Sequence, residues 1–145
     1  MAIADLSSII KIFGGSSPSE EEQESLFGEV LLMVLARASS SDANMAPVEI
    51  EHIQQVMERE TGQELSAADV RKAARPELYA DANLRKYLRT VQKQLRGQDR
   101  ITIAQTLAEI IKSDCDISVL EIDFFNRVAG ALELSPAELV GLSAN

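Results

Sequence analysis

The sequence predicts an all-α fold of seven to eight helices, packed as one domain. Apolar residues recur at three- and four-residue spacing, and no long stretch alternates apolar with polar side chains. Helix-starting residues stand before most of these apolar runs. The order of elements also repeats: residues 42–49 (DANMAPVE) and 114–121 (DCDISVLE) align at an offset of 72, pairing Asp42 with Asp114, Asn44 with Asp116, Met45 with Ile117 and Glu49 with Glu121. Each stretch follows one apolar helix pattern and precedes another. The echo returns at ELSAADV (64–70) and ELSPAEL (133–139), once three extra residues in the first copy are allowed.

Taken in order, an opening helix is expected over 4–13, ended by Gly14-Gly15, so that 1–18 forms an N-terminal helix and linker within a single domain of 1–145. Ser19 is an N-cap, with Glu20, Glu21 and Glu22 in a first turn where acids complement the helix dipole. The helix that follows buries a face of Leu26, Phe27, Val30, Leu31, Val34 and Leu35 and gives way near Ser39. Pro47 suits the first position of the next helix, whose apolar spacing is Ile50, Ile53, Val56 and Met57 and whose end is Gly62. Ser66 and Asp69 open a short helix that stops before Pro76. A longer one is expected over 81–96, with Leu84, Leu88, Val91 and Leu95 on one face, before Gly97-Gln98-Asp99 turns into a helix bearing Ile103, Leu107, Ile110 and Ile111. Ser118 caps a helix containing Ile122, Phe125 and Val128, and Ser135-Pro136-Ala137-Glu138 starts the last.

With a net charge of −9, non-specific nucleic-acid binding is not expected, because it rests on neutralising phosphates with Lys and Arg. The charge is unevenly placed. Residues 71–100 hold nine basic and three acidic residues, against five and twenty in the rest of the chain. Such a dipolar surface can attract a cation or basic partner at one face and an acidic partner at the other. Cys115 is the one cysteine, so no intrachain disulfide forms. The opening MAIADLSSIIKIFGG lacks the basic start of a secretory signal. The longest apolar run, VLLMVLA at 30–36, falls far short of the ~20 residues that cross a bilayer. The cytoplasm is the expected address.

Asp42, Glu49, Asp114 and Glu121 are the candidate site residues, with Asp116 and Asn44 as neighbours. If the two helical hairpins face one another, their loops meet at one edge and offer hard oxygen ligands suited to Ca²⁺ or Mg²⁺. The alternative is local: Glu121 reaches back to the backbone of its cap, Ser118, and Asp114 satisfies loop amides. Neither loop is an EF-hand, since Pro47 and Val119 stand at its glycine position. His52, three residues after Glu49, reads as a solvated helix residue, and Cys115 beside two aspartates as a small tolerated one. Tyr79 and Tyr87 are expected to close the core with their polar tips outward. Lys86, Arg89, Lys93 and Arg96, followed by Arg100, form a basic strip opposite the leucines, either a docking face for a phosphorylated ligand, anionic lipid or acidic protein patch, or a face that is solvated or balances the acidic helices of its own fold. No phosphate-binding loop, dinucleotide fingerprint, nucleophile elbow or metalloprotease motif occurs.

The repeated loops resemble those of the TerB-like domain, the small helical module of tellurite-resistance proteins that also occurs in some membrane-anchored J-domain co-chaperones. Its pattern is a helix ending in Ala-Asp-Gly, two intervening positions, a Ser or Thr cap, and Glu three residues later. Ser113-Asp114-Cys115-Asp116-Ile117-Ser118-Val119-Leu120-Glu121 keeps the Asp, cap and Glu, with Cys115 for Gly. The first copy keeps Asp42 and Glu49, with Ala43 for Gly and Ala46 for the cap. The resemblance covers roughly residues 23–140. It implies paired acidic positions at Asp42, Glu49, Asp114 and Glu121, a metal-binding or interaction surface, and no established catalytic activity. The expectation is a non-enzymatic interaction module in tellurite resistance or stress response, with a protein partner at the membrane periphery. A Ca²⁺- or Mg²⁺-dependent binding module is the alternative, and a metal-assisted hydrolase a remote one.

Overall fold

Every helix that the capping signals announce begins where its signal stands. The computed structural model describes residues 19–39, 46–73, 84–113, 117–140 and 142. It forms α1 (Glu20–Ser39), α2 (Pro47–Thr61), α3 (Ala67–Ala73), α4 (Leu84–Val91), α5 (Gly97–Lys112), α6 (Val119–Ala131) and α7 (Pro136–Leu139), with no strand among the described residues. The helix expected over 4–13, Tyr79 and the loop residues 40–45 and 114–116 lie outside them.

Four starts are reciprocal capping boxes, in which a serine hydroxyl accepts from the backbone N–H three residues on and the acid there accepts from the serine's own N–H. They are Ser19 with Glu22, Ser66 with Asp69, Ser118 with Glu121 and Ser135 with Glu138. At the start of α2 the box is half made. The Glu49 carboxylate accepts from the Ala46 N–H at 3.2 Å, but Ala46 has no hydroxyl to return, and the Glu49 N–H turns to the Ala46 carbonyl at 3.0 Å. The two copies of the pattern, α1–α2–α3 and α5–α6–α7, therefore share helix order and the cap positions of their second and third helices, whereas α1 starts on the Ser19 box and α5 on Arg96 with no side-chain cap. Each middle helix ends on a left-handed residue, Gly62 at φ 76° and Glu133 at φ 56°.

α1 is the centre of the molecule and packs against α2, α3, α5 and α6. One buried face was expected of it. Instead Leu26, Phe27 and the whole run Val30 to Ala36, Leu32 and Met33 included, are buried. A helix apolar all round can only sit inside, and neighbours on every side supply that environment. The core is completed by Ile50, Ile53, Val56 and Met57 of α2, Val70 and Ala73 of α3, Tyr87, Leu88 and Val91 of α4, Ile103, Leu107, Ile110 and Ile111 of α5, and Val128 and Ala131 of α6.

The helix expected over 81–96 is shorter. It ends at Val91, residues 92–95 form a turn, and Arg96 is the extended N-cap of α5. Tertiary bonds make the break. The Gln92 side chain donates to the Glu133 carboxylate at 3.0 Å, and Gln23 of α1 donates to the Gln94 carbonyl at 3.3 Å. The turn drops Leu95 into the core, while Leu84 is only half-buried. Tyr87 is buried with its hydroxyl, not turned tip-outward, because α4 packs flat on α6. Ile122, one of the apolar residues that mark α6 in the sequence, is exposed: it lies in the first turns of the helix, before the packed stretch that begins with half-buried Phe124 and Phe125.

Candidate interaction surfaces

α1 and α5 start at one end of the molecule, where Glu20 and Glu24 lie near Arg96 and Gln23 meets the Gln94 carbonyl. They pack along one another, so α2 and α6 both start from the opposite end. This brings Glu49 and Glu121 to that end at equivalent helix positions. One oxygen of each is taken up by a backbone N–H, at 3.2 Å from Ala46 and 3.0 Å from Ser118. The capping role is thus realised at both. Their proposed companions Asp42, Asn44, Asp114 and Asp116 lie outside the described residues, as does Cys115. Among the described residues no group of three or more His, Cys, Asp or Glu side chains could hold a metal ion.

The basic strip is divided by the turn at 92–95. Lys86 and Arg89 of α4 and Lys93 of the turn are exposed, as the cost of burying cations requires. Arg96 is held by Asp99, its Nε donating at 2.7 Å and Nη2 at 3.3 Å. That hydrogen bond raises the guanidinium pKa further, and makes Arg96 a strut at the start of α5. Arg100 is also engaged. Its Nη1 donates to the carbonyls of Leu132 at 2.8 Å and Glu133 at 3.4 Å, closing the C-terminal end of α6, where cations are favoured. Lys86, Arg89 and Lys93 remain as the outward-facing part of the strip.

Sequence reasoning missed two features. His52 is half-buried and shares an open groove with Gln105, Ala108, Glu109, Lys112 and Ser113. At its edge Arg59 grips Glu109 with its two terminal guanidinium nitrogens, at 2.9 and 2.8 Å, while its Nε donates to Glu60 at 3.2 Å. The Arg59 hydrogen bond is the main reason the Glu109 carboxyl titrates below its ordinary value, with smaller help from nearby His52. Fifty residues separate Arg59 from Glu109, and no local pattern announces the pair. The second feature is apolar: Val48, Ile117, Val119, Leu120, Ile122, Val140 and Leu142 stand exposed. Their hydrophobicity was legible, their exposure was not.

No helix of the described residues is long and apolar enough to cross a membrane. The family described as tellurite resistance protein TerB has a model that matches residues 29–144, most of the chain and both copies of the repeat. No curated protein and no solved structure matches.

Proposed function

The chain belongs to the tellurite resistance protein TerB family, and on that premise we propose that it is a non-enzymatic helical interaction module, an accessory of tellurite resistance or a related stress response. The family match carries this reading. It is supported by side chains that serve no core or capping role and face outward, above all Arg89 and Lys93. A protein partner with an acidic patch, met in the cytoplasm at the membrane periphery, suits that face. Attraction between complementary charges speeds encounter and weakens with salt.

The test is complementation. A host strain lacking the gene should lose tellurite tolerance, and the wild-type chain should restore it. Arg89→Ala with Lys93→Ala should restore less, and should co-purify less partner at low salt, with the helical fold intact. Unchanged tolerance on deletion under tellurite and other stresses would refute the accessory role.

A second reading rests on the equivalent placement of Glu49 and Glu121 at one end of the molecule. There a Ca²⁺- or Mg²⁺-dependent module would use them with Asp42 and Asp114, which precede them by seven residues in each copy.

A further inference from the structure

The outer face of α4 carries a row of cations. α4 buries Tyr87, Leu88 and Val91 and packs against α6, while Arg85, Lys86 and Arg89 stand exposed. The turn that follows first continues the helical course: the Gln92 N–H donates to the Leu88 carbonyl and the Gln94 N–H to that of Val91, each at 2.9 Å. Exposed Lys93 therefore extends the row. Arg85, Arg89 and Lys93 follow at four-residue steps, each a rise of about 6 Å and a rotation of about 40°. Residues at that spacing are neighbours on one face, so the row is a single surface.

The described chain from 84 to 98 holds five basic residues and no acidic one. Among the described residues, Arg85, Arg89 and Lys93 make no ion pair. The acids of neighbouring elements are engaged or stand at the Arg96 end. Asp99 holds Arg96, Glu133 accepts from Gln92, Asp123 of α6 is bound to Arg127, and Glu121 caps its own helix. Glu20 and Glu24 lie near Arg96. No large apolar side chain is exposed between 84 and 98, and Tyr87 is buried, so this face offers nothing to insert into a bilayer or to stack on a nucleic-acid base. A flat anionic surface laid on the row would also approach exposed Glu20 and Glu24 and be repelled. A narrow element with acids at matching intervals meets the row alone. A second helix has that interval, since glutamates at four-residue spacing stand about 6 Å apart along it.

We infer that the outer face of α4 docks an acidic helix of a partner protein, whose carboxylates at four-residue spacing lie against Arg85, Arg89 and Lys93. The inference rests on the interaction-module reading and adds to it the shape and register of the acidic partner. The two arginines can each grip a carboxylate with paired N–H donors, which fixes geometry as well as charge. With no apolar anchor on the face, the contact is electrostatic. It speeds and orients encounter, and it weakens with salt.

The experiment adds two alanine-rich helical peptides of equal charge to the full chain, at low and high salt. One carries its glutamates at four-residue spacing on one face, and the other has the same glutamates spread around the helix. At low salt and millimolar peptide, the first should move the amide resonances of residues 85–93 of the wild-type chain, and the second should move them less. High salt should abolish the shifts. Arg89→Ala with Lys93→Ala should weaken binding about fivefold, the loss of two exposed ion pairs. Arg71→Ala with Lys72→Ala, an equal loss of charge from exposed residues at the end of α3, should leave affinity within about twofold, because screening confines the effect of distant charges. Equal binding of both peptides, equal affinity of the Arg89/Lys93 variant, or shifts centred on another helix would overturn the proposal. So would binding to phosphatidylserine vesicles that the same variant abolishes and the first peptide does not compete, which would assign the face to a membrane. None of these failures touches tellurite tolerance, so the module reading stands or falls separately on complementation.

Discussion

Arg59 of α2 and Glu109 of α5 meet fork to fork, two parallel N–H···O bonds of 2.9 and 2.8 Å joining the two halves of the repeat. Both side chains are about half exposed, 50% and 43%, so solvent screens the pair. A double-mutant cycle with Arg59→Ala and Glu109→Ala should give a coupling of about 0.5 kcal/mol. Glu109 has its pKa lowered on folding, so its contribution is present above the unfolded-state pKa and is lost as pH falls through the folded one. The stability gap between wild type and Glu109→Gln should therefore close in acid. A gap that is constant from neutral pH to well below the ordinary carboxylate range would show that the bridge contributes nothing.

The two middle helices differ by one hydroxyl at the cap, Ala46 in one and Ser118 in the other. Ala46→Ser should complete the half-made box with Glu49 and stabilise the chain by about 1 kcal/mol, and Ser118→Ala should cost a similar amount. Chemical denaturation of both variants checks the symmetry. No gain from Ala46→Ser would mean that the local backbone keeps the new hydroxyl from the Glu49 N–H.

Glu133 ends α6 at φ 56°, where a Cβ is strained. The Leu134 N–H reaches back to the Ala129 carbonyl at 3.1 Å and the Glu133 N–H to that of Gly130 at 3.1 Å, a closure usually given to glycine. Gln92 and Arg100 hold the residue there from α4's turn and α5. Glu133→Gly and Glu133→Ala both lose the Gln92 bond, so their difference isolates the backbone. The glycine variant should be the more stable of the two by about 1 kcal/mol. Equal midpoints would contradict the left-handed assignment.

Leu32 lies off the face that helical spacing marks as buried, yet it is 2% exposed. Leu32→Ala should therefore cost about 2–5 kcal/mol, the range for a core leucine, whereas an outward-facing position would change stability by under about 0.5 kcal/mol. Equilibrium urea unfolding separates the two.

Should the acidic loops take a cation, Ca²⁺ or Mg²⁺ will raise the melting temperature by binding the native state preferentially. Asp42→Asn combined with Asp114→Asn should abolish the increase. Calorimetry without saturable binding at millimolar cation would leave Glu49 and Glu121 as caps alone.

What the sequence by itself determined are the features that close within a turn of chain. Ser19 with Glu22, Ser66 with Asp69, Ser118 with Glu121, Ser135 with Glu138, Pro47 at a helix start and Gly62 at a helix end involve partners at most four residues apart, and each could be read before any fold was known. The repeat belongs here too, since its copies share these local signals. Of the candidate site, the placement of Glu49 and Glu121 at helix starts was legible for the same reason. The tertiary structure decided everything that depends on what lies opposite. It buried Leu32 and Met33 because α1 has neighbours on all sides, and took in Tyr87 because α4 lies flat on α6. It cut the expected long helix at 92–95 through Gln92–Glu133 and Gln23–Gln94, contacts 41 and 71 residues apart in the chain. It left Leu120 and Ile122 in water because no described helix packs over the start of α6. Apolar spacing states which side chains gain from burial; only the packed neighbours determine which of them are covered.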